Sequence, residues 1–217
     1  MGIIIGMLVL GGMGKITSAT EEIFPIYLDP GNGGGTIVYL GNDQTLTYAE
    51  YEDKGVNDHN GVYYILKNEV YAKDAQKVST SIEAVGFGYV ETYAAVGEKF
   101  DIGGTGSASA AIEIPVQING WVDLGFGEAS YKVKVYIKDL TTGAITSFII
   151  DEEEFQQTGN KQVNKQILYR TPSYIFKSGH RYAVYIELTS RVYSSGGLSS
   201  ASLSLNVHYD YMYIDFP

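Results

Sequence analysis

Cysteine is absent from this chain. That excludes thiolate nucleophiles, cysteine metal centres and a small domain held by disulfides. Basic residues are scarce: 15 Lys and Arg stand against 25 Asp and Glu, for a net charge of −10. Phosphate binding needs clustered cations, so nucleic acid is excluded as a partner. Histidine occurs three times, at His59, His180 and His208, without H-E-x-x-H spacing, which excludes a dedicated zinc site. His180 follows Lys177-Ser178-Gly179 and reads as a turn residue, and His208 as an exposed strand residue. No asparagine lies in an N-x-Ser/Thr sequon, so N-glycosylation is not expected. No G-x-S-x-G elbow or S-x-x-K motif occurs, and Gly103-Gly104-Thr105-Gly106 lacks the lysine and helix of a phosphate loop. Acid pairs such as Glu83 with Glu91, or Asp123 with Glu128, resemble any two acids in an acidic chain until a fold brings them together.

Long hydrophobic runs are also missing. The uncharged stretch over residues 2–14 would rise about 20 Å as a helix, short of a hydrocarbon core of roughly 30 Å. No stable transmembrane span is expected. Residues 1–19 read as a signal peptide with Ala19 near its cleavage site, although no Lys or Arg precedes the run. As an extended segment the same residues are apolar on both faces, suited to completing a neighbouring copy's sheet. Either way the expected location is extracellular or at the cell surface.

What is present is tyrosine, 19 residues against one tryptophan, together with repeated period-two alternation. Over residues 131–138, Tyr131, Val133, Val135 and Ile137 share one face, and Lys132, Lys134 and Lys138 share the other. Residues 139–143 then turn, and 144–150 return as a hairpin partner. Tyr182, Val184, Ile186 and Leu188 alternate likewise, as do Leu203, Leu205 and Val207. Near the end, Met212, Ile214 and Phe216 oppose Tyr209, Tyr211 and Tyr213. Residues 45–53 carry the best helix signal, one or two turns. Gly86-Phe87-Gly88 and Gly125-Phe126-Gly127 read as bends in strands. The fold expected is all-β: one antiparallel β-sandwich over 20–217, jelly-roll or immunoglobulin-like. Its body is 78–217. Residues 20–76 are looser, with Gly-rich residues 31–35 separating strands 23–28 and 36–40.

Two groups of residues carry chemistry. Residues 53–61 read as an exposed loop in which Asp53, Asn57, Asp58 and Asn60 offer closely spaced oxygens, so calcium is the one cofactor suggested. The late glutamate of a calcium loop is missing, and Asn and Asp equally serve turns. Residues 151–154, all acidic, read as a solvated loop. Trp121, with Asn119 and Asp123 two residues to either side, places an aromatic ring, an amide and a carboxylate on one strand face, the makings of a sugar platform. The same Trp also suits a core. The reading that follows is a non-catalytic extracellular structural or adhesion-type sandwich, self-associating into filaments by strand addition. The alternative is a carbohydrate-binding module whose partners are glycans.

Overall fold

The computed structural model describes residues 36–47, 49–71 and 76–217, except the side chains of 58–71 and Leu198. The apolar leader (1–19), with its strand-addition role, and strand 23–28 lie outside them. Eleven strands follow in order: β1 (Thr36–Tyr39), β2 (Gln44–Leu46), β3 (Tyr51–Tyr71), β4 (Lys77–Gly103), β5 (Ser107–Leu124), β6 (Gly127–Asp139), β7 (Ile145–Phe155), β8 (Gly159–Arg170), β9 (Tyr174–Lys177), β10 (Arg181–Tyr209) and β11 (Met212–Asp215). No helix occurs among the described residues, and none there is long and apolar enough to cross a membrane.

Three strands are long enough to run through both layers. β3 shifts register at Val56/Asp58 and Gly61/Tyr63, β4 bends at Gly86 with φ 76°, and β10 shifts between Ser195 and Ser200. These irregularities align across the strands, because Gly61 pairs with Gly88 and Ser195 with Phe87. Sheet I therefore holds the first part of β3, the second part of β4, the first part of β10, then β6 and β7. Sheet II holds the complementary parts, then β5 and β8. Side chains meet across the layers: Thr80 Oγ1 lies 2.6 Å from Ser190 Oγ, and both Tyr209 Oη and Gln76 Nε2 donate to Glu98 Oε1 at 3.1 Å.

The register distinguishes the two sandwich topologies. The early part of β4 pairs with the late part of β10, the late part of β4 with the early part of β10, β5 with β8, and β6 with β7. Those four antiparallel pairs fall alternately in sheets II, I, II and I. One long ribbon thus wraps around the core, which is a jelly roll. β3 extends both sheets at one edge, while β1 adds a short parallel pairing to β4. β9 and β11 pair with the start of β5, and β2 with β11.

The alternating residues fill the interior as the sequence pattern demands. Val133, Val135, Ile137, Ile186, Leu188, Leu203 and Leu205 are fully buried, each contributing roughly 1.5–3 kcal/mol by transfer from water. Tyr209 departs from its expected face. It ends β10 on the inward side, and the break at Asp210 and Tyr211 restarts the alternation in β11.

Three further expectations are corrected. The described residues of 45–53 form no helix: Leu46 pairs with Met212 and Tyr51 with Gly97, so sheet pairing overrides a weak local signal. Residues 151–154 are strand, not loop. Asp151 and Glu153 turn toward the rim between the layers, where Lys165 Nζ reaches them at 2.7 and 3.1 Å, and Lys161 also bonds Glu153. Glu152 pairs outward with Lys132 at 2.8 Å. Cations from the opposite layer offset the like-charge repulsion, and the inward-pointing charges guard two edge strands against pairing with other chains. Residues 53–61 belong to β3 and are not the exposed loop expected.

The β6–β7 turn holds itself together through Asp139. Its Oδ1 accepts from the Thr141 and Thr142 N–H groups at 2.9 and 3.1 Å, its Oδ2 lies 2.8 Å from His180 Nδ1, and Gly143 takes φ 80°. Desolvation pushes this carboxyl up, but the hydrogen bonds from His180, Thr142 and Thr141 outweigh it and hold the group below its ordinary value. A depressed carboxylate stabilises the fold above its unfolded pKa and loses that contribution as pH falls through the folded one. Asp139→Ala is therefore expected to cost about 1–3 kcal/mol at neutral pH. Denaturant melts should show the gap between variant and wild type closing below the ordinary carboxylate pKa of 3.8.

Candidate carbohydrate-binding face

β5 is the next-to-edge strand of sheet II, and its odd-numbered residues from Glu113 to Asp123 point outward. Asn119, Trp121 and Asp123 are all exposed on that face, Trp121 at 39%. The expected trio is thus on one surface, and the register supplies neighbours that no local pattern could. Trp121 lies between Gln162 of β8 and Ser204 of β10, with Ser81 of β4 beyond. One row along, Asn119 lies between Asn164 and Asn206, and Ser79 Oγ donates to Asn206 Oδ1 at 2.6 Å. One row the other way, Asp123 lies between Asn160 and Ser202. The one signal for the missed residues was the outward spacing Asn160, Gln162, Asn164, Gln166 in β8.

Among the described residues the Trp121 indole makes no side-chain hydrogen bond and no ring contact, and part of it is open to solvent. Gly120, beside it, points inward. A Cβ there would come 2.0 Å from the Ser204 carbonyl oxygen, so only glycine lets β10 approach this closely. The arrangement is an aromatic surface bordered on both sides by short amides and hydroxyls, groups that both donate and accept. That is suited to an uncharged polyhydroxyl ligand.

The outer face of sheet I uses its aromatics differently. Tyr51, Tyr185 and Tyr136 come from β3, β10 and β6 and stack in a row, with centroids 4.3 and 5.0 Å apart. Gly97 between β3 and β10 leaves the space that lets Tyr51 reach Tyr185. The ring faces are spent on each other, so this ladder is no stacking platform. Burial, then the Glu187 carboxylate that accepts its hydrogen bond at 3.0 Å, push the Tyr136 hydroxyl up to about 12. It remains a donor at neutral pH.

The metal candidates do not share one loop. Asp53 pairs opposite Ala95 and Asp58 opposite Glu91, so they sit at separate rows of β3. Asp53 Oδ1 accepts from Lys54 N at 2.8 Å, and Asn57 Nδ2 donates to Glu91 Oε1 at 3.0 Å. The side chains of Asp58 and Asn60 are outside those described. No group of three or more His, Asp or Glu suited to a metal occurs among the described residues. The acid pairs are separated too: Glu83 and Asp123 lie on sheet II, Glu91 and Glu128 on sheet I. Gly86-Phe87-Gly88 is a bend within β4, as expected, whereas Gly125 and Phe126 form the connection between β5 and β6 rather than a bend in a strand. Phe87 and Phe126 stand exposed there at 63% and 68%.

No family model and no curated protein matches this chain. Among solved structures, the xylan-binding domain CBM22-1 of Paenibacillus barcinonensis Xyn10C is similar over 80% of this chain and 97% of its own, at 15% identity and TM-score 0.28. The family 11 carbohydrate-binding module of Clostridium thermocellum, in complex with a β-1,3-1,4-mixed-linked tetrasaccharide, is similar over 80% and 95%, at 8% identity and TM-score 0.25. TmCBM61, in complex with β-1,4-galactotriose, is similar over 70% and 88%, at 9% identity and TM-score 0.24.

Proposed function

We propose that this chain is a non-catalytic, extracellular or surface-attached glycan-binding module, and that the outer face of sheet II holds the sugar. The observation carrying this reading is Trp121: an exposed, unpartnered indole, flanked in register by Gln162 and Ser204 and bordered by Asn119, Asp123, Asn164 and Asn206. An indole face packs against the C–H face of a sugar ring, while amides and hydroxyls satisfy the hydroxyls around it. A lone structural role for the sandwich gives no reason to leave this large aromatic side chain exposed among amides. The test is affinity electrophoresis in gels containing neutral polysaccharides, with Trp121→Ala alongside. Wild type is expected to be retarded in at least one gel and the variant to run freely. Equal mobility of both proteins in every gel contradicts the reading.

A further inference from the structure

The outer face of sheet I contains a cleft of about 670 Å³ that the function above does not use. Its lining includes Lys134 of β6, Glu187, Thr189 and Arg191 of β10, and Glu91 of β4. In register, Lys134 pairs with Glu187 and Arg191 with Glu91, two opposite-charge pairs on adjacent strands. Neither pair closes. Glu187 instead accepts through Oε1 from Tyr136 at 3.0 Å and Thr189 at 3.4 Å, and Glu91 accepts through Oε1 from Asn57 at 3.0 Å. Lys134 Nζ lies 5.9 Å from the Tyr136 ring centroid and the Arg191 guanidinium 5.6 Å from that of Tyr89.

Each pair therefore offers a carboxylate anchored by one oxygen, with Oε2 uncommitted, near a cation that has no ion pair among the described residues. A vicinal diol complements such a pair: one hydroxyl donates to the carboxylate while the next accepts from the cation. The two pairs are four residues apart on β10, about 13 Å along the strand, a spacing to be bridged by an oligomer rather than one sugar. Across the whole lining, Glu91, Glu152, Glu153, Glu154 and Glu187 outnumber Lys132, Lys134 and Arg191, so an acidic sugar is repelled and the saccharide matched is uncharged. We infer that this cleft is a second saccharide site, for a neutral oligosaccharide, on the outer face opposite Trp121. It rests on the glycan-binding reading and adds that one molecule bridges two glycan chains.

The experiment is isothermal titration of the full chain with xylohexaose, cellohexaose and mannohexaose, with tetragalacturonate as the charged comparison. The proteins are wild type, Trp121→Ala, the double variant Lys134→Ala/Arg191→Ala, and the conservative Glu187→Gln, each first checked for an unchanged melting temperature. Two sites are expected in wild type and one in Trp121→Ala and in the double variant. Glu187→Gln is expected to weaken the cleft site about tenfold or more. Wild-type light scattering with a long neutral polysaccharide should rise, and each single-site protein should abolish the rise. A single site lost only with Trp121→Ala overturns this inference and leaves the proposed function standing. A single site lost only with the cleft variants overturns the Trp121 face and keeps the cleft. Preference for tetragalacturonate contradicts the neutral ligand, and no binding by wild type overturns both.

Discussion

Val135→Asp is expected to abolish cooperative unfolding. Val135 is fully buried in β6, paired with Ile186 of β10 and Phe148 of β7. Its neighbours on the inner face of β6 are Val133 and Ile137, both also fully buried. A carboxylate there costs several kcal/mol, whether it stays charged or takes up a proton. Typical margins are only about 5–15 kcal/mol for a whole domain. Urea melts followed by circular dichroism should lose their sigmoidal transition, or show it at far lower denaturant. Lys138→Ser, on the opposite face of the same strand, should shift stability by about 0.5 kcal/mol at most. A Val135→Asp protein melting like wild type would show that the face of β6 is misassigned.

Trp121→Ala is expected to remove the glycan site while leaving the fold intact. The indole supplies the large aromatic surface at the centre of the site proposed on sheet II, and central aromatic anchors carry about 2 kcal/mol or more, at least thirtyfold in affinity. Stability should fall far less, because the ring is exposed and has no hydrogen bond or ring partner to lose. Trp121→Phe keeps part of the stacking surface and should fall between the two. Affinity measured by titration and stability measured by melting should thus separate. Parallel losses of both would mean that Trp121 supports the core rather than a ligand.

Trp121, Asn119 and Asp123 were legible as a group because period two within one strand puts them on one face without further information. Gln162, Asn164, Ser204 and Asn206 were not, because their place beside Trp121 depends on pairing between residues tens of positions apart. The same division runs through the fold. The strand over 131–138 was plain from its one wet and one dry face, and its hairpin partner followed from the turn at 139–143. The wrapped ribbon was hidden, since Lys77 meets His208 only through register. The acidic stretch 151–154 reads as a loop for a similar reason: the lysines that reach Asp151 and Glu153 come from β8, in the other layer. Asp53 to Gly61 looked like a loop because its Asp, Asn and Gly residues suit turns, yet the edge of β4 draws that segment into pairing, with bulges absorbing the misfit.

The central claim concerns one side chain, and the chain offers a clean reporter because it has a single tryptophan. A ¹⁵N-labelled sample gives one indole N–H resonance, assigned without mutation. Titrated with neutral hexasaccharides, that resonance is expected to shift and saturate with at least one of them, together with the Asn119, Gln162, Asn164 and Asn206 side-chain amides. An indole signal that stays in place while backbone resonances elsewhere report binding, or that no saccharide moves, contradicts the account.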